Sequence, residues 1–379
     1  MSRAQINYFK HMPQFSLATN FDAKLLQEVG RLNKKYPESK VFELYGSLPL
    51  SLTGSGRRAI GLPAVSANDL EEHVMLAHQF SLKFNYLMNS TSVGDLNDAT
   101  YCQQLDEFFN YLIGINVDSI TLADEALIKY VRQKFPDLSI HVSLITGVDT
   151  VEKAKKYSDL GVALITLNQH TINRDLKTIK AIVQAVDCDI MLYANISCLQ
   201  DCPMRDAHYA WLSSQSNSST TNTDKSVDKF ILQCEKKYLE NPIEFLRSPF
   251  IRPEALKIYE EIGVNYFKLS DRRESTEALI KTAKAYMSGA FHGNLFAFLF
   301  RDDRKWSNAV RSIVDPESLG HTAINIDNDK LTAFRFDEQV TTLTGKDLEK
   351  FYQELTAAAV SGLDDDATKD FHKKLHSFI

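Results

Sequence analysis

Short apolar or alternating runs recur along the chain. Between them lie amphipathic stretches whose apolar positions repeat every 3.6 residues, the pattern of consecutive βα units. Eight runs read as strands, at 15–19, 41–46, 83–88, 119–123, 139–145, 162–167, 190–194 and 266–270. Most are rich in Val, Ile, Leu and Phe, as strands covered on both faces must be. Two of the intervening helices carry their own start signals. Asn173 reads as the cap of a helix that puts Leu176, Ile179, Ile182 and Val183 on one face, and Pro253 with Glu254 suits a first turn ahead of Leu256, Tyr259 and Ile262. A doubly wound open sheet would also explain the alternation, but eight units in about 270 residues match a (β/α)8 TIM-like barrel better. The predicted fold class is α/β.

The barrel is predicted to span 1–290, with an insertion at about 196–247, and a C-terminal α+β extension to cover 291–379. More than fifty residues separate the seventh strand from the Pro253 helix where a few would suffice, and they include the polar tract Ser213-Ser214-Gln215-Ser216-Asn217-Ser218-Ser219-Thr220-Thr221. That insertion reads as either a mobile lid or an inert disordered loop. In the extension a hairpin of 323–326 and 331–336 is expected around Asp327-Asn328-Asp329-Lys330, followed by helices near 345–360 and 366–377.

Composition narrows the function classes. With 44% hydrophobic and 24% charged residues in 379, the chain is globular rather than disordered. No apolar run approaches the roughly 20 residues of a membrane span. The opening Met1-Ser2-Arg3-Ala4-Gln5-Ile6-Asn7 does not resemble a secretory signal, so a cytoplasmic location is expected. A net charge of −6 without a long Lys/Arg block disfavours a nucleic-acid partner. Five cysteines, odd in number and unevenly placed, do not form a disulfide framework, and their clustering near position 200 points to metal chemistry.

In a βα barrel the loops at the C-terminal ends of the strands form the active face. The polar residues this rule gathers are Asn20, Asp22, Tyr45, the Gly54-Ser55-Gly56-Arg57 loop, Asn85 and Asn89. From the second half of the barrel come Asp124, Asn168, His170, Asn195, Lys268, Asp271 and Arg272. The loop Cys198-Leu199-Gln200-Asp201-Cys202-Pro203-Met204-Arg205 lies on the same face, and Cys234 closes the insertion. Two thiolates four residues apart, with a third some thirty residues on, can converge on zinc or an iron cluster. The plainer reading is three unpaired buried cysteines.

Cys188 precedes the seventh strand, and six extended residues at about 3.3 Å each put it about 20 Å from the far end, so it is expected in the core. Cys102 joins as a fourth ligand if the loop after the third strand folds inward; without a fourth thiolate, a cubane cluster keeps one iron open for substrate. Arg205 and His208, three apart, share a face if Pro203 starts a helical turn, placing positive charge beside the thiolates. Alternatively Arg205 pairs with a nearby carboxylate and His208 is a packing residue. The Gly54–Arg57 loop lacks the Lys-Ser/Thr ending of a phosphate-binding loop and reads as an anion cradle or a plain turn. Lys268, Asp271 and Arg272 stand where barrels hold anionic groups, or form a structural ion pair. No Ser/His/Asp elbow and no His-Glu-x-x-His pair occurs.

The run Asn195-Ile196-Ser197-Cys198-x3-Cys202-Pro203-x-Arg205-x2-His208-Tyr209, then Cys234, then Ser248-Pro249-Phe250-Ile251-Arg252-Pro253-Glu254 and Ile262-Gly263-Val264-Asn265-Tyr266-Phe267-Lys268, resembles the collagenase-like peptidase family (peptidase family U32). So do Leu44-Tyr45-Gly46-Ser47-Leu48-Pro49 and Phe84-Asn85-Tyr86-Leu87-Met88-Asn89, and the resemblance runs from about 14 to 295. It implies relatives that act as oxygen-independent hydroxylases. These carry 4Fe-4S clusters, usually on four cysteines, and modify RNA bases, with prephenate as the proposed oxygen donor, or the ubiquinone ring, as a paired complex. Here only Cys198, Cys202 and Cys234 are placed, and the acidic charge balance argues for a small molecule or peptide rather than RNA.

The leading expectation is therefore an iron–sulfur enzyme performing oxygen-independent hydroxylation or a related group transfer. In it Arg205, Arg57 and Lys268 orient an anionic substrate and His208 moves a proton. Tyr45, Asn85, Asn89, Asn168, His170, Asn195 and Arg272 complete the expected substrate face. The alternatives are a metal-dependent peptidase and a non-catalytic, metal-stabilised barrel, zinc included, that docks a related barrel subunit as a heterodimer.

Overall fold

A computed structural model describes residues 12–218, 228–300 and 323–378. Eight parallel strands close into a barrel in chain order: β1 Gln14–Ala18, β2 Lys40–Gly46, β3 Lys83–Met88, β4 Ser119–Leu122, β5 Ser139–Val142, β6 Leu164–Thr166, β7 Asp189–Tyr193 and β8 Tyr266–Leu269. All eight coincide with the predicted runs. The ring closes where Gln14–Leu17 of β1 pair with Tyr266–Leu269 of β8. Residues that alternate outward, such as Phe15, Leu17, Leu44, Phe84, Ile120, Ile140, Leu192 and Phe267, are buried in one continuous core with Leu25, Leu70, Leu105, Ile128 and Ile179 of the surrounding helices.

Most of these helices begin on a side-chain cap that answers an otherwise orphaned backbone N–H. Asp22, Ser66, Asp98, Asp124 and Ser275 serve in this way. The expected cap Asn173 does not. Asp175 starts the helix Leu176–Ala185 by accepting from the Thr178 amide, because Asn173 is turned inward to donate to the carbonyls of Tyr193 and Pro249, at 3.0 and 2.7 Å.

The barrel interior is polar. Ser16 donates to Glu43 (2.5 Å), and Thr121 donates to Asn85 Oδ1 (2.6 Å). The Asn85 amide nitrogen bonds Ser119 Oγ (2.6 Å) and His141 Nδ1 (2.8 Å). Ser16 of β1 is in register with Glu43 on one neighbouring strand and with Lys268 on the other, so these three side chains occupy one layer.

Beyond β8 the expected hairpin is replaced by another arrangement. Asn325–Ile326 pairs antiparallel with the distant Val360–Ser361, and the intended turn residue Asp327 instead caps the helix Asn328–Ala333 by accepting from the amides of Asp329 and Lys330. An Asp that satisfies two successive amides starts a helix more readily than it reverses a strand. The two later helices, Gly345–Ala359 and Asp366–Phe378, lie where predicted.

A second core joins the insertion to the extension, with Leu199, Tyr238, Phe245, Phe250, Phe296, Phe300 and Phe336 among its members. The nearly inaccessible Arg252 pins the extension to it, donating to Asp337 and to Asn328, the latter at 2.9 Å. The first half of the polar tract packs onto the loop after β2. Ser213 and Ser216 are buried, and Ser216 Oγ accepts from the Ser55 amide (2.7 Å) and donates to the Ser55 carbonyl (2.9 Å). The remainder of that tract, like the opening heptapeptide, lies outside the described residues. Among the described residues no helix is long and apolar enough to cross a membrane.

Candidate functional site

At the C-terminal end of the barrel a cavity of about 370 Å³ is lined by Cys198, Cys202 and Cys234. Arg57, Arg58, His170, Tyr193, Asn195, Arg205, His208, Tyr209, Asp228 and Asp271 are also in its wall. A smaller recess of about 40 Å³ shares Arg57, Tyr193, Tyr209, Ser270 and Asp271 with it and reaches down to Tyr45, Asn89, Lys268 and Arg272.

The cysteine loop leaves β7 and turns at Asp201, whose φ of 47° is left-handed, a conformation Asp tolerates better than most residues. The Asp201 amide donates to the His170 carbonyl at 2.9 Å, fixing the loop against the end of β6. Cys234 arrives on the helix Lys229–Glu240, which Asp228 caps. A hydrogen bond joins Cys234 to Cys202. It holds the Cys202 thiol down at about 6, helped by the Met204 amide and by His208, and together with burial it pushes the Cys234 thiol up. Among the described residues no three His, Cys, Asp or Glu side chains stand in a coordinating arrangement. The donor types nonetheless suit a soft metal, since three thiols share one wall with an orphaned imidazole nitrogen.

That nitrogen belongs to His170. Its Nδ1 lies 3.3 Å from the Leu199 carbonyl, which can only accept, so Nδ1 carries the hydrogen. Burial lowers the ring's pKa to about 4, so it is neutral and Nε2 presents a lone pair with no hydrogen-bond partner among the described residues. His208 is differently placed. Its Nε2 is 3.0 Å from Asp228 Oδ2 and its ring stacks on Phe230.

Several predicted site residues are tied into the scaffold, whether or not they line the cavity. Cys102 lies in the helix Ala99–Gly114, donates its thiol hydrogen to the Leu96 carbonyl (3.2 Å) and is absent from both cavities, so the loop after β3 does not bring it inward. Asn85 is consumed by the barrel-interior network, one turn of the pleat below the recess. Asn168 caps the short helix Gln169–Ile172. Asn195 clamps Ser270, accepting from its amide (2.8 Å) and donating to its carbonyl (2.7 Å). Asn89 accepts from the Gly56 amide (3.0 Å), which positions the Arg57 loop.

Arg205 lines the cavity, yet it pairs with Asp206 (2.5 Å) and donates to the carbonyls of Leu144 and Ile145 (2.6 and 3.0 Å), so its paired reading holds. Arg272 donates to Ser47 and Ser55. Cys188, as expected, packs against the barrel core, where burial raises its thiol pKa.

Arg57 is the guanidinium that lines both the cavity and the recess. Burial opposes its charge, but Asp271 and the phenols of Tyr193 and Tyr209 more than offset this and strengthen its hold on the proton. Lys268 lies across the Tyr45 ring, its Nζ 3.9 Å from the centroid, and burial with Arg272 and Arg57 pulls its pKa down to about 7 against the pull of Glu43. Glu43, His141, Tyr193 and Asp228 did not emerge from the sequence as site residues. A lone acid two residues before Tyr45 in an otherwise apolar strand was the available signal for Glu43.

Residues 55–292, more than half of the chain, match the family profile described as Peptidase family U32. The uncharacterized protease MJ1657 of Methanocaldococcus jannaschii is 29% identical over 275 residues, covering 72% of this chain and 80% of its own. Among solved structures, the U32 peptidase Mk0906 aligns with a TM-score of 0.48 at 18% identity, over 69% of this chain and 93% of its own. The δ-aminolevulinic acid dehydratase of Toxoplasma gondii ME49 aligns with a TM-score of 0.37 at 10% identity, over 72% and 86%. The chain belongs to peptidase family U32.

Proposed function

We propose that this chain is an iron–sulfur enzyme that binds a 4Fe-4S cluster through Cys198, Cys202 and Cys234 and performs oxygen-independent hydroxylation or a related group transfer on a small anionic molecule. The supporting observation is that three cysteines, from two segments over thirty residues apart, line one cavity together with Arg57. Soft sulfur donors in an apolar surround of Leu199, Tyr238 and Phe300 are the ligand set such a cluster takes. A bound cluster would supply electron transfer. His170 Nε2 is the non-sulfur donor best suited to complete the set, because its other nitrogen is already committed to a backbone carbonyl, as second-shell support requires.

The remaining residues handle the substrate. Arg57 binds an anionic group by charge-assisted hydrogen bonds. Tyr193 and Tyr209, whose phenols burial keeps protonated, can donate hydrogen bonds to an oxygen between them and Arg57. His208, tied to Asp228, is positioned to take up or release a proton at the cavity mouth.

Anaerobic purification followed by iron and sulfide analysis tests the reading. The expected result is about four iron and four sulfide per chain, with Cys198→Ala losing both while remaining folded. A colourless chain with one tightly bound zinc sinks it.

A second reading has a specific observation behind it. Cys202, His208 and Asp228 line one wall of the same cavity, the elements of a thiol peptidase, in a family named for peptidases. Peptide cleavage that survives Cys198→Ala but not His208→Ala would favour it.

A further inference from the structure

Three cationic side chains meet at the recess below the cavity: Arg57 from the loop after β2, Lys268 from β8 and Arg272 from the loop after β8. Among the described residues Arg272 has no carboxylate of its own, and Nη1 and Nη2 donate to the hydroxyls of Ser47 and Ser55 at 2.5 and 3.3 Å. Asp271 lines the same recess and acts on both guanidiniums, but its carboxylate is bonded to Arg273 at 2.8 Å. Lys268 lies with its ammonium on the Tyr45 ring and makes no hydrogen bond among the described residues. Like charges crowded away from water cannot all persist, and a guanidinium does not release its proton at neutral pH, whereas an amine does. The group that yields is therefore Lys268.

The other acid within reach is Glu43. It shares the interior layer with Lys268 through Ser16, which is in register with both. One Glu43 oxygen accepts from Ser16 (2.5 Å) and lies 4.0 Å from His141 Nδ1, while Oε2 is buried without a partner among the described residues. The titratable and charged groups around Lys268 are thus Glu43 and Tyr45 on β2, Arg57 above them, His141 on β5, Tyr193 on β7, and Asp271 with Arg272 on its own side.

We infer that Lys268 is the acid–base residue of this site, taking a proton from a carboxylate-bearing substrate seated on Arg57 and Arg272. Glu43 is the positioning residue that sets its charge. In the step, a C–H or O–H bond of the substrate breaks and its electron pair stays on the substrate, facing the two guanidiniums. The proton goes to the Nζ lone pair, leaving an ammonium opposite Glu43. Proton release to water through the cavity restores the amine.

Burial and the two guanidiniums together hold Lys268 near 7, far below the ordinary lysine value of about 10.4. The inference does not depend on what the cysteines hold.

The experiment is an NMR titration of the full chain labelled at lysine Cε, with the Lys268 resonance identified by its loss in Lys268→Arg. A midpoint near 7 is expected. It should move lower in Glu43→Gln, which removes the attracting charge, and higher in Arg57→Met, which removes a repelling one. Saturating malonate, a small dicarboxylate, should raise it by covering both guanidiniums. A midpoint near 10, or one that ignores both substitutions, overturns the inference. A malonate-insensitive midpoint overturns the substrate class. A chain that binds no iron at all would still give the expected titration, so this failure and that of the iron–sulfur reading are separable.

Discussion

The lower half of the barrel interior and the cavity above it are built from similar polar residues and end in opposite states. Below, Asn85 meets Ser119, Thr121 and His141, each at 2.8 Å or closer, so donors and acceptors answer one another. Above, among the described residues, Lys268 makes no hydrogen bond and His170 Nε2 has no partner, and three cations share one recess with Asp271. A satisfied network fixes a barrel, whereas an unsatisfied cluster of like charge is a site prepared for a ligand. Substitutions below should therefore read out in stability, and those above in ligand and proton chemistry.

The sharpest break of the comparison is Asn85→Ala. It strands His141 Nδ1 and the hydroxyls of Ser119 and Thr121 in a buried space, at about 1–3 kcal/mol for each group left unanswered. Urea denaturation should show a loss of roughly 3–5 kcal/mol, because the three orphaned groups act together. A loss below about 1 kcal/mol would mean that water or a neighbour replaces the amide, and the lower interior would no longer count as closed.

Glu43 sits on the border between the two regions. Burial raises its carboxyl from 4.5 to about 7. Between those values the folded chain keeps a proton that the unfolded chain has lost, so this group's contribution to stability falls as pH rises from about 4.5 to 7 and is flat above. Lys268 has the opposite sign. Its folded amine releases the proton near 7 while the unfolded one keeps it to 10.5, so its contribution rises over that upper window. Together they place a minimum near pH 7. The stability difference between the parent and Glu43→Gln, followed by urea denaturation from pH 4 to 8, should fall by on the order of 3 kcal/mol across the lower window. A difference independent of pH would show that Glu43 ionises normally.

The two regions were unequally legible in the sequence. Barrel strands announced themselves because each is an apolar run covered on both sides, and the cysteine loop did so because thiols four apart are rare without a reason. What stayed hidden depends on contacts between strands. Asn85 lies within β3 and Asn89 just past its end, four residues apart, and only the register with β4 and β5 turns one into a structural bond and leaves the other beneath the Arg57 loop. Asp327 failed as a turn signal for a related reason, since the same residue type caps helices and starts turns, and the partner strand at Val360 lies over thirty residues away. Cys102 was a question of loop direction, which local pattern does not encode.

The smallest expected effect tests the upper region's architecture rather than its chemistry. Ser216, buried and 161 residues from its partner in sequence, both accepts from and donates to the backbone of Ser55, beside the Gly54 turn at φ 75°. Ser216→Ala leaves the Ser55 amide without that acceptor in a space where a methyl group fits, at about 1 kcal/mol. Global stability should barely change. The segment carrying Arg57 loses one of its tethers to the insertion, while the Ala59 amide keeps its bond to the Gln215 carbonyl, so amide hydrogen exchange at residues 54–58 should speed up roughly fivefold, the ratio that about 1 kcal/mol of local stability represents. Faster exchange there, with the Asn85 layer still protected, would show that the upper half can loosen while the lower half holds. Equal exchange in both would mean that the barrel interior and the cavity open as one unit, and the distinction drawn between them would fail.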